Sequence, residues 1–160
     1  MVKKISLIFV GVICISVAIA FLLVLIRSPR LRSFTGQLPS YSAVQTDARL
    51  TLLAQILPST ARDISYYIRP HAPVIYVDFT ISETEFLEWV AARGWKPMKI
   101  DTGQYLEASP LNAGLLCIEK GYYYNEKSFG KDNPRMLITE RRVFYDMNKT
   151  RCFYRFTGAD

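Results

Sequence analysis

The sequence has one histidine, His71, in the stretch RPHAP. That scarcity removes every metal motif built on paired histidines, H-E-x-x-H among them. Any Ser-His or Cys-His nucleophile pair would also have to use His71, and the chain has neither a G-x-S-x-G elbow nor a cysteine in a nucleophile motif. His71 therefore reads as a turn residue. The eight glycines are scattered, so no phosphate-cradling loop is available. Internal repeats and low-complexity tracts are absent as well.

An excess of charge on the folded part is also missing. The formal charge of +6 invites a nucleic-acid reading, but the surplus is confined to one end. Lys3 and Lys4 precede a long apolar run, and five basic residues face a single acid, Asp47, between Arg27 and Arg62. From Asp63 onward there are 13 residues of each sign. A nucleic-acid footprint requires a basic stripe on the domain itself, so nucleic acid is excluded as a partner. Basic side chains beside a bilayer instead face anionic headgroups, each contributing about 1 kcal/mol.

The most prominent feature is residues 5–26, ISLIFVGVICISVAIAFLLVLI, which carry no charge and have Lys3, Lys4, Arg27, Arg30 and Arg32 on their flanks. As a helix rising ~1.5 Å per residue this run reaches about 33 Å, enough to cross a hydrocarbon core of about 30 Å. A transmembrane helix is expected, with the lipid bilayer as a partner. Ala18-Ile19-Ala20 has the small-x-small form of a signal-peptidase site, but six further apolar residues, FLLVLI, follow it, which favours retention as an anchor. Cys14 lies inside the run without the leucine-then-small pattern of a lipoprotein signal and reads as a membrane residue. The short basic N-terminus, residues 1–4, stays in the cytoplasm on this reading and the C-terminal domain lies across the cell membrane.

Residues 27–45, rich in Ser, Pro and Gly, read as a tether. Residues 46–160 are expected to form one α+β globular domain, an antiparallel sheet of about five strands packed against one main helix. TDARLTLLAQILPST offers Thr46 or Asp47 as a cap, with Leu50, Leu53 and Leu57 at helical spacing and Pro58 closing it. DISYYIR (63–69) and VIYVDFT (74–80) read as an antiparallel pair turned at PHAP. LLCIEKGYYY (115–124), RMLITERRVFYD (135–146) and RCFYRF (151–156) supply three more strands, with MNKT as a turn. In RCFYRF, alternation puts Cys152, Tyr154 and Phe156 on one face and Arg151, Phe153 and Arg155 on the other, as in a sheet with one wet side. The tyrosines at 65–67 and 122–124 read as strand filling, with an aromatic binding face as the alternative. Asn148-Lys149-Thr150 fits the N-glycosylation acceptor pattern.

The stretch most like chemistry is ISETEFLEW, residues 81–89, with three glutamates in nine positions. Ser82 followed three residues on by Glu85 forms a capping box, Ile81 and Phe86 can close a hydrophobic staple over it, and Glu83 and Glu85 lie at the positive end of the helix dipole. Phe86, Trp89, Val90 and Arg93 continue with helical spacing, and Gly94 falls where a left-handed C-terminal cap belongs. The competing use of Glu85 and Glu88 as an acid-base pair or metal ligands lacks any pattern of burial or like charge that would tune them. No catalytic, cofactor-binding or metal residue is assigned, no cofactor is expected, and no small-molecule substrate is identified. Cys117 and Cys152 fall in expected strands. Outside the cytoplasm they could form a disulfide closing about 36 residues and stabilising by about 3 to 4 kcal/mol; inside it they are small buried hydrophobes.

LPSTARDISYYIRP, the following FTISETEFLEW and the terminal VFYDMNKTRCFYRF resemble a pattern in uncharacterised small bacterial membrane-anchored or secreted proteins. The resemblance covers about half the chain and implies no activity, cofactor or catalytic residue. The sequence thus points to a single-pass membrane protein that works by contact, as a binding or accessory module of a cell-envelope complex. The alternatives are an immunity or inhibitor protein against a membrane-active or secreted partner and, behind it, a hydrolase using Glu85, Glu88 or His71.

Overall fold

The structure, a computed structural model, describes residues 33–69, 73–130 and 137–158. The apolar run 5–26 and His71 lie outside the described residues. Among the described residues no helix is long and apolar enough to cross a membrane.

The β-branched and aromatic segments become strands, and those strands dominate. In chain order the elements are β1 (Phe34–Ser40), α1 (Tyr41–Gln45), a 3₁₀ turn (Ala48–Leu50), α2 (Thr51–Ile56), β2 (Arg62–Arg69), β3 (Val74–Thr80) and α3 (Glu83–Ala92). They continue with β4 (Met98–Ile100), β5 (Gln104–Leu106), β6 (Leu116–Ile118), β7 (Gly121–Phe129), β8 (Leu137–Asp146) and β9 (Arg151–Gly158). Seven strands form one antiparallel sheet in the order β1-β2-β3-β9-β8-β7-β4, and β5 and β6 form a separate two-stranded ribbon. The class is α+β and antiparallel, as expected, but with more strands than the five anticipated.

The largest departure lies at residues 34–45, expected as tether. FTGQLPS pairs with β2 from Phe34 opposite Ile68 to Ser40 opposite Arg62 and becomes the sheet edge, and Tyr41–Gln45 forms a helix that buries Val44. Gly36 and Pro39 are tolerated there because an edge strand leaves half of its backbone groups unpaired. Close approach also favours glycine at position 36, where a Cβ would lie 2.6 Å from the Tyr66 hydroxyl.

Alternation decides the two faces of the sheet. Ile64, Tyr66 and Ile68 of β2, Ile75, Val77 and Phe79 of β3, Val143 and Tyr145 of β8, and Cys152 and Tyr154 of β9 join one buried cluster with Leu50, Leu53, Phe86, Trp89 and Val90 from the helical elements. The faces anticipated for RCFYRF are those observed, but the opposite face is not simply wet. The ribbon β5–β6 covers part of it, placing Leu106 and Ile118 against Phe144 and packing Tyr123 and Phe153 into a second cluster.

The helix anticipated around 47–57 forms as the 3₁₀ turn followed by α2. Asp47 caps it by accepting from the Arg49 amide, and Leu50, Leu53 and Leu57 are all buried. Two side chains finish its far end: Trp89 Nε1 of α3 donates to the Ile56 carbonyl at 3.1 Å, and the guanidinium of Arg93, which caps α3, donates to the same carbonyl at 2.7 Å. That carbonyl would otherwise be orphaned at a helix C-terminus.

Candidate functional site

Ser82 begins α3 as the capping box requires. Its Oγ accepts from the Glu85 amide at 3.3 Å, its amide donates to Glu85 Oε2 at 3.1 Å, and its hydroxyl donates to the same oxygen at 2.7 Å. These bonds, the hydroxyl first, hold the Glu85 carboxyl below its usual range. Ile81 and Phe86, the staple pair, are fully buried. The helix ends at Gly94, φ +70, in a Schellman motif: the Trp95 amide donates to Val90 and the Gly94 amide to Ala91. Trp95 then meets Trp89 edge to face at 5.3 Å.

Glu83 accepts from the Tyr122 hydroxyl at 2.7 Å, and Glu88 is exposed. The glutamates therefore have structural or solvent-facing positions. Among the described residues, no group of three His, Cys, Asp or Glu side chains could hold a metal ion.

Of the two states left open for Cys117 and Cys152, the structure has both thiols free. Cys152 is fully buried on the helix-bearing side of the sheet, where burial pushes its thiol well above the usual range. Cys117 is exposed on the ribbon, between Leu116 and Ile118, which turn inward to the second cluster on the other side. Cys117 belongs to the ribbon over one face of the seven-stranded sheet and Cys152 points to the other face, an arrangement that does not meet disulfide geometry.

Two constellations remain that sequence reasoning did not find. The first is a charged cluster on the ribbon side. Arg142 grips Glu140 with Nε at 2.9 Å from Oε1 and Nη2 donating at 2.9 Å to Oε2. Oε1 is in ion-pair contact there but has no hydrogen bond of its own. Lys127 adds a contact to Glu140 at 3.5 Å. The cross-strand neighbour of Arg142 is Arg155, which is 8% exposed; it lies over the Tyr76 ring at 5.2 Å, and its guanidinium donates to the Glu107 backbone carbonyl. Arg142, ahead of burial in its effect, holds the Glu140 carboxyl below its usual range. A carboxylate fixed in its ionised form cannot serve as a general acid. This cluster is the strap that ties the ribbon to the sheet.

The second is an apolar cleft of about 380 Å³ on the helix-bearing side. One residue from each of four adjacent strands makes its floor. Phe34 stands opposite Ile68, Ile68 opposite Ile75, and Ile75 opposite Phe156. The next partner in the same row is Arg141 of β8. Leu52, 47% exposed, and Ile56 of α2 form a wall. Arg49, Arg69 and Arg141 line the cleft, and among the described residues no acidic side chain does.

Arg49 is paired with Asp47 at 2.6 Å. Arg141 meets Glu126 in an ion pair, donates to the Tyr154 hydroxyl at 3.3 Å and stacks over the Trp95 ring at 5.1 Å. The size falls within the range of small-molecule sites, which combine apolar walls with a few placed polar groups. Only the alternation of β2, β3 and β9 hinted at this row; its join to Phe34 and Leu52 needed β1 and α2 in place.

Comparison of the chain with protein-family models, with curated proteins and with solved structures finds no match. Function is therefore argued from the residues themselves.

Proposed function

We propose that the chain is a single-pass membrane-anchored protein whose α+β domain acts by binding, as an accessory module of the cell envelope, and performs no catalysis. The observation that carries this reading is the uncharged run 5–26 with basic residues on both flanks, followed by a sequence that is charge-balanced from Asp63 onward. The acids of the domain support it. Among the described residues, the three carboxyls whose titration is clearly displaced, Asp47, Glu85 and Glu140, are all displaced downward by hydrogen bonds and ion pairs. That displacement suits structural anchoring, whereas acid-base chemistry near neutral pH calls for displacement upward.

On this reading the domain lies outside the cytoplasm. Alkaline carbonate washing should leave the protein in the membrane pellet, with release only by detergent. A reporter active only outside the cytoplasm, fused to Asp160, should give signal. A freely dissolved mature chain beginning at Phe21 would overturn the anchor, and a silent reporter would reverse the orientation.

A further inference from the structure

We propose that the arginine-lined cleft binds a long-chain carboxylate, a fatty-acid-like anionic amphiphile, with its chain lying along the floor and its head at Arg141. The site is a row rather than a bowl. Neighbouring strands are about 4.8 Å apart, so the path from Phe34 across Ile68, Ile75 and Phe156 to Arg141 extends for roughly 19 Å. Ile68 and Ile75 are nearly closed over at 6% and 2% exposure, so the open apolar surface along that path comes from Phe34, Leu52, Pro73 and Phe156. An apolar lining of that length ending on a guanidinium matches a linear hydrocarbon with one anionic terminus. Leu52 and Ile56 cover it from α2, so a chain inserted there would be held on two sides.

The charges select the head group. Among the described residues the lining holds three arginines, Arg49 and Arg141 paired with Asp47 and Glu126 and Arg69 beside them, and no acid. A cationic amphiphile is disfavoured there, and a neutral one forgoes the charge-assisted bonds that guanidinium groups form with carboxylates. Arg141 is already oriented for the role. The Tyr154 hydroxyl and the faces of Trp95 and Phe156 hold its guanidinium, at 5.1 and 5.9 Å for the two rings, and its acidic partner Glu126 is half exposed. An incoming carboxylate would exchange with a solvated partner and leave no buried acid unpaired. Arg69 adds positive charge along the cleft, Arg49 being compensated by Asp47. This inference does not depend on membrane attachment.

The test uses the full chain in nanodiscs of neutral phosphatidylcholine, titrated with cis-parinaric acid. Energy transfer from Trp89 and Trp95 is the readout, and empty nanodiscs give the partition baseline. Should the chain purify without membranes, the same titration runs in buffer, so a failed anchor leaves this test intact. Saturable binding above the baseline is expected, displaced by oleate and about tenfold or more less well by oleyl alcohol or oleylamine.

Leu52→Glu places an acid at an exposed position in the wall and should weaken binding by about tenfold or more with the circular dichroism spectrum unchanged. Arg141→Gln should abolish the preference for oleate over oleyl alcohol. A signal equal to empty nanodiscs would overturn the proposal. So would equal displacement by all three amphiphiles, or binding unaffected by both substitutions. Binding only when anionic phosphatidylglycerol is included would overturn it too, assigning the cleft to a bilayer lipid.

Discussion

Replacing Ser82 by Ala tests whether the glutamate-rich stretch is a helix cap. The substitution removes two bonds: the acceptor for the Glu85 amide at 3.3 Å, and the 2.7 Å bond to the Glu85 carboxylate. The bond from the residue-82 amide to that carboxylate, 3.1 Å in the structure, can persist. The amide bond is long and the hydroxyl-carboxylate bond short, so the loss should lie near the middle of the range for such caps, about 1 kcal/mol. For a domain of this size that corresponds to a fall in Tm of roughly 3 to 5 °C.

The deficit should depend on pH. The Ser82 hydroxyl and amide hold the folded Glu85 carboxyl below its unfolded value. A carboxyl lowered on folding contributes stability that is present above its unfolded pKa, about 4.3, and lost as pH falls through the folded value. Wild type and variant should therefore differ most at neutral pH, and the difference should shrink as pH falls below about 4.3 and through the folded value, leaving the part due to the Glu85 amide bond. Urea unfolding followed by tryptophan fluorescence measures this directly, since Trp89 belongs to the same helix. A deficit that stays constant across that pH window, or none at pH 7, would refute the reasoning.

Gly121→Ala should cost about 3 kcal/mol or more, because the new Cβ would lie 1.7 Å from the Tyr145 carbonyl oxygen, a backbone atom that cannot swing aside; denaturant titration checks it. Thr150 adopts φ +51 in the β8–β9 turn, costly for a β-branched residue, so Thr150→Gly should stabilise by about 1 kcal/mol while its carbonyl keeps the Ile81 amide; an unchanged or lowered midpoint would count against this. Alkylation without reductant should label Cys117 in the native protein and Cys152 only after unfolding; failure of both to react in the unfolded, unreduced protein would show a bridge after all.

Local chemistry made much of the fold readable. The cap, staple and glycine stop of α3 depend on residues within a turn of one another, and the strands at 74–80 and 151–156 declare themselves by alternation and β-branched content. The same locality explains the failures. FTGQLPS has the composition of a linker and becomes a strand only because β2 offers it an edge. The short strands Met98–Ile100 and Gln104–Leu106 likewise lack a signal of their own and exist through pairing.

By itself the sequence determined the uncharged run that points to a bilayer, the location of the excess positive charge, the antiparallel α+β class and the structural role of the glutamates, because each is settled by composition or by neighbours a few residues apart. Tertiary structure alone decided that Cys117 and Cys152 face away from each other, that Arg155 is buried beneath the ribbon, and that Phe34, Ile68, Ile75, Phe156 and Arg141 line up as one floor. Those outcomes depend on strand order and register, which bring together residues more than a hundred positions apart, and no local pattern encodes which edges will meet.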